Sequence, residues 1–424
     1  MPDHESHAGL AAFRYTNFTL FTVARFFLVA ALEMQSVAVG WQVYEITRRP
    51  LDLGLVGLAQ FLPVILFFLP AGHAADRFSR KWLVLICYIG FSVCYVLLLQ
   101  IARTGTRNIT LIYGVLVILG MVRAFNAPAT RALVPSLVPA EVFPSAIAWN
   151  ATVFQGATIL GPAIGGVLYA AFGGPAGVYD IALGVTVFAI AALFPVTSTQ
   201  PERLHEEVSA RSVLAGLHYI WTHKIILGSI SLDLFAVLLG GAVALLPVYA
   251  REILRTGPWG LGLLRAAPGV GAGAMAILLA YRPLRSRVGK LMLFCVAGFG
   301  AFTIIFGLSR SLAVSLIALL LVGASDMVSV VVRQILVQVA TPDEVRGRVN
   351  AVDMIFIGAS NELGEFESGL TAHWFGTVPA VVLGGLGTLV VVALWAWMFP
   401  ELREADKLAQ VHGDADKTET SHAV

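Results

Sequence analysis

Eleven ionisable side chains stand inside runs of otherwise apolar residues: Arg25, Glu33, Arg123, Asp233, Arg265, Asp326, Arg333, Asp353, Glu362, Glu365 and Glu367. An ionisable group at the centre of a bilayer-spanning helix costs about 2.5–3.5 kcal/mol on insertion scales, so such groups face a cavity or a partner. Spacing sorts them. Glu362 and Glu365 are three apart and share a helix face with Gly358 and Gly369, while Glu367 points elsewhere. Asp326 and Arg333, seven apart, share a face but cannot touch along one helix, so each is expected to find a partner on another helix. Three roles are open to an acid here: proton carrier, counter-charge of a buried arginine, or ligand for a cationic group. Glu33, Glu362, Glu365, Asp233 and Asp326 are the candidates for proton coupling. Arg25, Arg123 and Arg333, with Asn126, Trp41, Tyr44 and Phe235, are the candidates for lining a substrate cavity.

Other chemistries lack their residues. The nine histidines form no HExxH or paired metal spacing, and no GxxxxGK[ST] loop for ATP is present. Cys87, Cys94 and Cys295 are odd in number and lie in apolar stretches, so no disulfide framework or metal cluster is read. No cofactor and no enzymatic activity are expected. A net charge of +2 offers no argument for nucleic acid.

The elements that must position these groups are membrane helices. The chain of 424 residues is 58% hydrophobic and 13% charged, with a mean hydropathy of +0.81; soluble domains carry about 25% charged residues. About 20 apolar residues cross the hydrocarbon layer. Twelve such segments are read, at about 18–45, 52–71, 82–102, 109–127, 145–171, 177–197, 225–250, 258–281, 289–308, 312–340, 349–373 and 377–399. The polar N-terminus carries no lysine or arginine in its first ten residues and does not read as a signal peptide. With both termini placed in the cytoplasm, 17 of the 28 Lys/Arg fall in inner segments and 7 in outer ones, which agrees with the positive-inside bias.

Short motifs add organisation. Val138-Pro139-Ala140-Glu141-Val142 precedes the fifth span and Thr341-Pro342-Asp343-Glu344-Val345 the eleventh, an internal echo about half the chain apart. The turn after the second span reads Gly72-His73-Ala74-Ala75-Asp76-Arg77-Phe78-Ser79-Arg80-Lys81. It resembles the signature loop of the major facilitator superfamily, departing from it at Ala74 and Ser79. A small residue there would let helix ends approach, and the cations would hold the turn at the anionic inner leaflet. The fifth span holds Gly156 and Gly161-Pro162-Ala163-Ile164-Gly165-Gly166, which resembles the glycine-proline motif of the antiporter branch. Arg123 to Pro135, Trp41 to Thr47, and the opening and middle of the eleventh span look like the transmembrane secretion effector subfamily, over nearly the whole chain from about Asn17 to Pro400.

The resemblance implies an all-α membrane protein of twelve transmembrane helices in two six-helix halves. The expected divisions are 1–198 for the first half, 199–224 for a cytoplasmic central loop, 225–400 for the second half and 401–424 for a polar tail. It also implies roles: a conformational latch at Gly72, Asp76, Arg77, Arg80 and Lys81, and a helix pivot at Gly156, Gly161, Pro162, Gly165 and Gly166. The expected function is proton-coupled export of a siderophore or a hydrophobic, drug-like molecule across the bacterial inner membrane. The partners are then the small-molecule substrate, protons and the bilayer, with the monomer as functional unit. An importer on the same fold and a non-transporting membrane sensor are the alternatives.

Overall fold

The computed structural model describes residues 11–197, 210–282, 284 and 287–404, without the side chains of 210–213, 343 and 344. Positions 199–209 of the expected central loop and 405–424 of the polar tail lie outside the described residues.

The chain is helical from end to end of the described residues. Six long helices come first: α1 (Thr16–Thr47), α2 (Pro50–Arg77), α3 (Arg80–Thr104), α4 (Ile109–Leu133), α5 (Phe143–Phe172) and α6 (Pro175–Leu193). After α7 (Ala210–Thr222) come α8 (Lys224–Gly240), the single turn α9 (Leu246–Val248), α10 (Gly257–Tyr281), α11 (Val288–Leu308), α12 (Leu312–Ala340), α13 (Asp343–Phe375), α14 (Thr377–Met398) and the turn α15 (Pro400–Arg403). Local chemistry sets the ends. Pro50 and Pro175 stand at the first position of α2 and α6, where a missing N–H costs nothing. Asn108 caps α4 by accepting from the Thr110 N–H at 3.0 Å. Gly105 and Gly173 close α3 and α5 in the left-handed region, with φ of 65° and 67°.

Among the described residues eleven helical segments are long and apolar enough to cross a bilayer, and α13, of 33 residues, is a long helix that is not, because of its acids. Together they make the twelve spans. The seventh differs from the expected continuous run: α8 stops at Gly240–Gly241, and the chain continues through short turns and a π-helical turn, Tyr249–Ile253. Gly241 has an open backbone conformation, and its carbonyl accepts from Ser368 Oγ at 2.5 Å rather than from the next turn. The expected central loop is also partly ordered, since 210–222 form α7.

The described residues fall into two compact units. The first contains α1–α6 together with Leu246–Ala266; the second contains α7, α8 to Leu245, and the chain from Ala267. In the first, α1 packs on α5 and α6, α2 on α4, and α3 on α4 and α6. In the second, α8 packs on α13 and α14, and α11 on α12 and α14. The later part of α10 meets α12, where a Cβ on Gly271 or Gly323 would run into the backbone of Leu320 or Pro268. Pairing α1 with α8, α2 with α10 and so on to α6 with α14, the two units use the same set of neighbours. In the second unit α7 lays Leu217 and Ile220 on a cluster with Ile226, Ile230, Val337, Val349 and Val352. Tyr219 donates to the last carbonyl of α12, that of Ala340, at 3.2 Å.

Candidate functional site

The second unit buries one guanidinium among three carboxyls. Arg333 of α12 is 2% exposed, and its Nη1 donates to Asp233 Oδ2 of α8. Its Nε faces Asp353 Oδ1 of α13 at 3.6 Å. Asp326, two turns back along α12, shares with Asp233 a cavity of about 10 Å³ that Ser325, Ser329, Phe299 and Val296 also line. That is room for about one water molecule. Ser329 Oγ, itself buried, stands 3.5 Å from Asp233 Oδ1. Arg333 thus takes its partners across helices, as its spacing from Asp326 requires, whereas Asp326 meets Asp233 of α8 only across the cavity and forms no ion pair among the described residues. A buried guanidinium that loses such a partner costs about 3–5 kcal/mol.

The first unit treats its cations differently. Arg25 Nη1 of α1 donates to the amide oxygen of Asn150 on α5, and its guanidinium lies 5.6 Å from the centroid of the Phe154 ring. Arg123 Nη1 of α4 donates to Gln60 Oε1 of α2 at 3.2 Å. Arg265 of α10 donates to Ser36 Oγ of α1 at 2.5 Å. Glu33 is half-buried on α1, within electrostatic reach of both Arg265 and Arg123.

At the Thr47 end of α1, a second polar network ties in the segment Leu246–Ala266. Tyr44 Oη donates to Glu252 Oε1 at 2.5 Å, and Arg48 lies 3.8 Å from the same oxygen. Arg251 stands 3.4 Å from Glu45 and 5.4 Å from the Trp41 ring centroid, while Tyr169 of α5 donates to Glu45 at 3.1 Å. Trp41 and Tyr44, expected with the arginines in a cavity, therefore belong to this network. It is built on a π-helical turn, a form that recurs at functional sites.

The glycine-proline run lies at helix crossings. A Cβ on Gly161 would meet Glu33 Cβ at 2.6 Å and the Ala30 carbonyl at 3.0 Å; one on Gly165 would meet Met34 Cα at 2.8 Å. Gly166 faces α10 instead, with Gly262 Cα at 2.8 Å from that position. The Pro162 carbonyl lies against Gly262 from the other side. Gly156 has ordinary room, 3.9 Å to Phe26. In the α2–α3 turn, Arg80 donates to the Ala132 carbonyl near the end of α4 at 3.0 Å, a cation at the negative pole of a helix. Lys81 lies 5.4 and 5.7 Å from the Trp82 and Phe194 rings. Asp76 and Arg77 are exposed, and a Cβ on Gly72 would meet nothing within 4 Å, so no close helix approach accounts for that glycine.

Other expected residues stand apart. Asn126 accepts from Thr130 one turn on at 3.4 Å. Phe235 packs on Trp395 at 5.4 Å. Glu362 and Glu365 are half-buried on α13. In this part of α13 the residues against the end of α8 include Gly364 and Ser368, with Leu238 O 3.0 Å from a Cβ on Gly364. Glu367 accepts from Thr371 at 2.7 Å. Asn150, Gln60 and Ser36 were not singled out in the sequence, because neutral polar residues in membrane helices carry no distinctive pattern. Glu45 stands there at the very end of the first apolar run, and Arg251 and Glu252 just beyond the seventh.

A twelve-span helical protein with two similarly paired units and buried charges is a transporter of the major-facilitator fold. Solved structures agree on the fold: the D-xylose-proton symporter superposes with a TM-score of 0.69 at 14% identity, covering 91% of this chain and 98% of that chain. The nucleoside transporter NupG gives 0.66 at 11%, covering 90% and 99%. The transmembrane secretion effector family matches residues 7–421, and the chain belongs to that family. Among its relatives are the enterobactin exporters EntS of Shigella boydii and Escherichia coli O81, each 26% identical over 90% of this chain and 91% of theirs. The protein is a multi-pass membrane transporter and not an enzyme.

Proposed function

We propose that the protein is a proton-driven exporter of a siderophore or a hydrophobic, drug-like small molecule. It would work as a monomer in the bacterial inner membrane with both termini in the cytoplasm. The observation that carries proton coupling is the cluster of Asp233, Asp326 and Asp353 around the single buried Arg333. Fully ionised, these groups hold an excess of two negative charges in a low-dielectric interior, where an uncompensated charge is costly. Binding one proton removes half of that excess. Asp326 sits on the cavity and forms no ion pair among the described residues, so it is the acid best placed to exchange one. Glu33, set against Arg265 and Arg123, is the corresponding acid of the first unit, and Glu362 and Glu365 complete the candidate set. Outward direction is supported by the glycine-proline run of α5 and by the similarity to enterobactin exporters. The α2–α3 turn, with Asp76 at its centre, is assigned the latch role that its resemblance implies.

The test is transport by purified protein in liposomes under an imposed pH gradient, with enterobactin and ethidium as cargoes. Accumulation of either one that collapses with the gradient is expected. Gradient-independent movement would remove proton coupling, and movement of neither compound would remove both cargo classes.

A further inference from the structure

Arg25 is a membrane-interior cation with no acid beside it among the described residues. Nine residues into α1, it lies about 14 Å along the helix from Thr16 at ~1.5 Å per residue. Its hydrogen bond goes to a neutral amide, Asn150, and no carboxylate pairs with it among the described residues. The charged or titratable groups in its reach are Tyr88 of α3 and a second cation, Arg131 of α4. Two hydroxyls in its neighbourhood are orphaned. Tyr88 Oη is fully buried without a hydrogen-bond partner, and so is Thr22 Oγ1 on α1, three residues before Arg25 on the same helix face. A buried hydroxyl without a partner is uncommon, and a threonine in a helix ordinarily returns its proton to a carbonyl one turn back. Phe154, lying against the guanidinium, is 43% exposed and so keeps ring surface free.

An uncompensated guanidinium, two hydroxyl donors without acceptors and an open aromatic face ask for the same thing: a planar group bearing anionic oxygen. Guanidinium presents a fork of N–H donors that matches such a group. Asn150 uses only part of that fork, so it orients the side chain without neutralising it. We propose that Arg25, positioned by Asn150 and flanked by Tyr88, Thr22 and Phe154, is the receptor for an anionic oxygen group, a carboxylate or phenolate, on the transported molecule. This rests on the reading of the chain as an exporter of small molecules and narrows its cargo to compounds with such a group. Arg333 has no comparable role, because Asp233 and Asp353 already compensate its charge.

The experiment compares salicylate with its uncharged analogue salicylamide. Binding to the full chain in phosphatidylcholine nanodiscs is read by quenching of tryptophan fluorescence. Wild type is expected to prefer salicylate by about tenfold, and Arg25→Gln to lose the preference, with Arg25→Lys restoring part of it. Tyr88→Phe should weaken salicylate about three- to tenfold with no loss of thermal stability, since it deletes a hydroxyl that bonds nothing in the fold. Asn150→Asp separates recognition from structure: a built-in carboxylate beside Arg25 should raise the melting temperature and still abolish the salicylate preference. Equal binding of the two compounds by wild type, or binding of neither, overturns the proposal. So does an unchanged preference in Asn150→Asp. Repeating the assay with phosphatidylglycerol identifies the source of the anion, and a preference lost only there assigns the site to a lipid headgroup and overturns the cargo assignment. Failure of enterobactin and ethidium transport with the salicylate preference intact would sink the cargo classes of the exporter reading and leave this site standing.

Discussion

The two units share their helix pairings and differ in what they bury. In the first, Gly161 and Gly165 bring α5 onto α1; in the second, Gly364 brings α13 onto α8. Gly120 lies against the backbone of Gln60 between α4 and α2, as Gly323 lies against Pro268 between α12 and α10. Small residues at corresponding crossings therefore maintain the repeat, which fits association in lipid by close backbone packing. The buried charge is free of that constraint and has diverged in sign. The first unit holds Arg25, Arg123 and Arg265 against Glu33 and satisfies its arginines with amides and a hydroxyl. The second holds Arg333 against three aspartates. On the proposed function, a cationic unit recognises cargo and an anionic unit handles protons.

The sharpest break of this comparison is to remove one arginine from each unit. Arg333→Met leaves three buried acids without a counter-charge, and a destabilisation of about 3–5 kcal/mol is expected, seen as loss of monodisperse protein on size-exclusion chromatography. Arg25→Met leaves only a neutral amide, and a cost of about 1 kcal/mol or less is expected. Equal losses would mean that the units bury charge in the same way.

Crossings come next. Gly161→Leu and Gly364→Leu should each cost at least about 1–3 kcal/mol by overpacking and reduce transport with it, whereas Gly156→Ala should change neither thermal stability nor transport. A tolerated Gly364→Leu would confine the glycine argument to the first unit.

Coupling follows. Asp326→Asn is expected to lower uphill, gradient-driven efflux about tenfold or more while exchange at equal pH continues, because asparagine copies the protonated acid without titrating. Glu33→Gln is the parallel test in the first unit. Loss of uphill transport in Glu33→Gln alone would reverse the assignment of roles to the two units.

The smallest effect concerns a surface pair of the second unit. The Glu401 carboxyl is held below the usual carboxylate range by its own backbone N–H and by Lys224 at 3.3 Å. A lowered carboxyl contributes stability above its unfolded range that is lost as pH falls through its folded value. Glu401→Gln should therefore lower the melting temperature by about 1 °C or less at pH 7, with the difference shrinking as pH falls through the lowered range of the carboxyl.

The spans were legible because an apolar run of about 20 residues has few other uses. So was the presence of cross-helix partners for Arg333, since seven residues of helix hold it apart from Asp326. The identity of those partners was not legible, because Asp233 and Asp353 are brought in by packing of α8 and α13 that no local pattern encodes. Tyr44 and Trp41 read as cavity aromatics because an aromatic in a membrane helix looks alike facing solute, lipid or ion pair; their contacts with Glu252 and Arg251 were not legible, because those two charges lie beyond the apolar run of the seventh span. Thr22, Tyr88 and Asn150 carry no sequence signal, since a hydroxyl or amide becomes conspicuous only when its hydrogen-bond partners are known.

The polarity of α13 bears on how the chain enters the membrane. A segment leaving the translocon partitions by its own apolarity, and one bearing Asp353, Glu362, Glu365 and Glu367 is poorly suited to leave alone, at about 2.5–3.5 kcal/mol for each acid placed near the centre. Two residues, Thr341 and Pro342, separate α13 from α12, whose Arg333 faces Asp353. The two helices are thus suited to leave as a hairpin, the acid of the later helix neutralised by the base of the one synthesised before it. Insertion of the eleventh span would then draw on the tenth, with Arg333 offering Asp353 its counter-charge from the start.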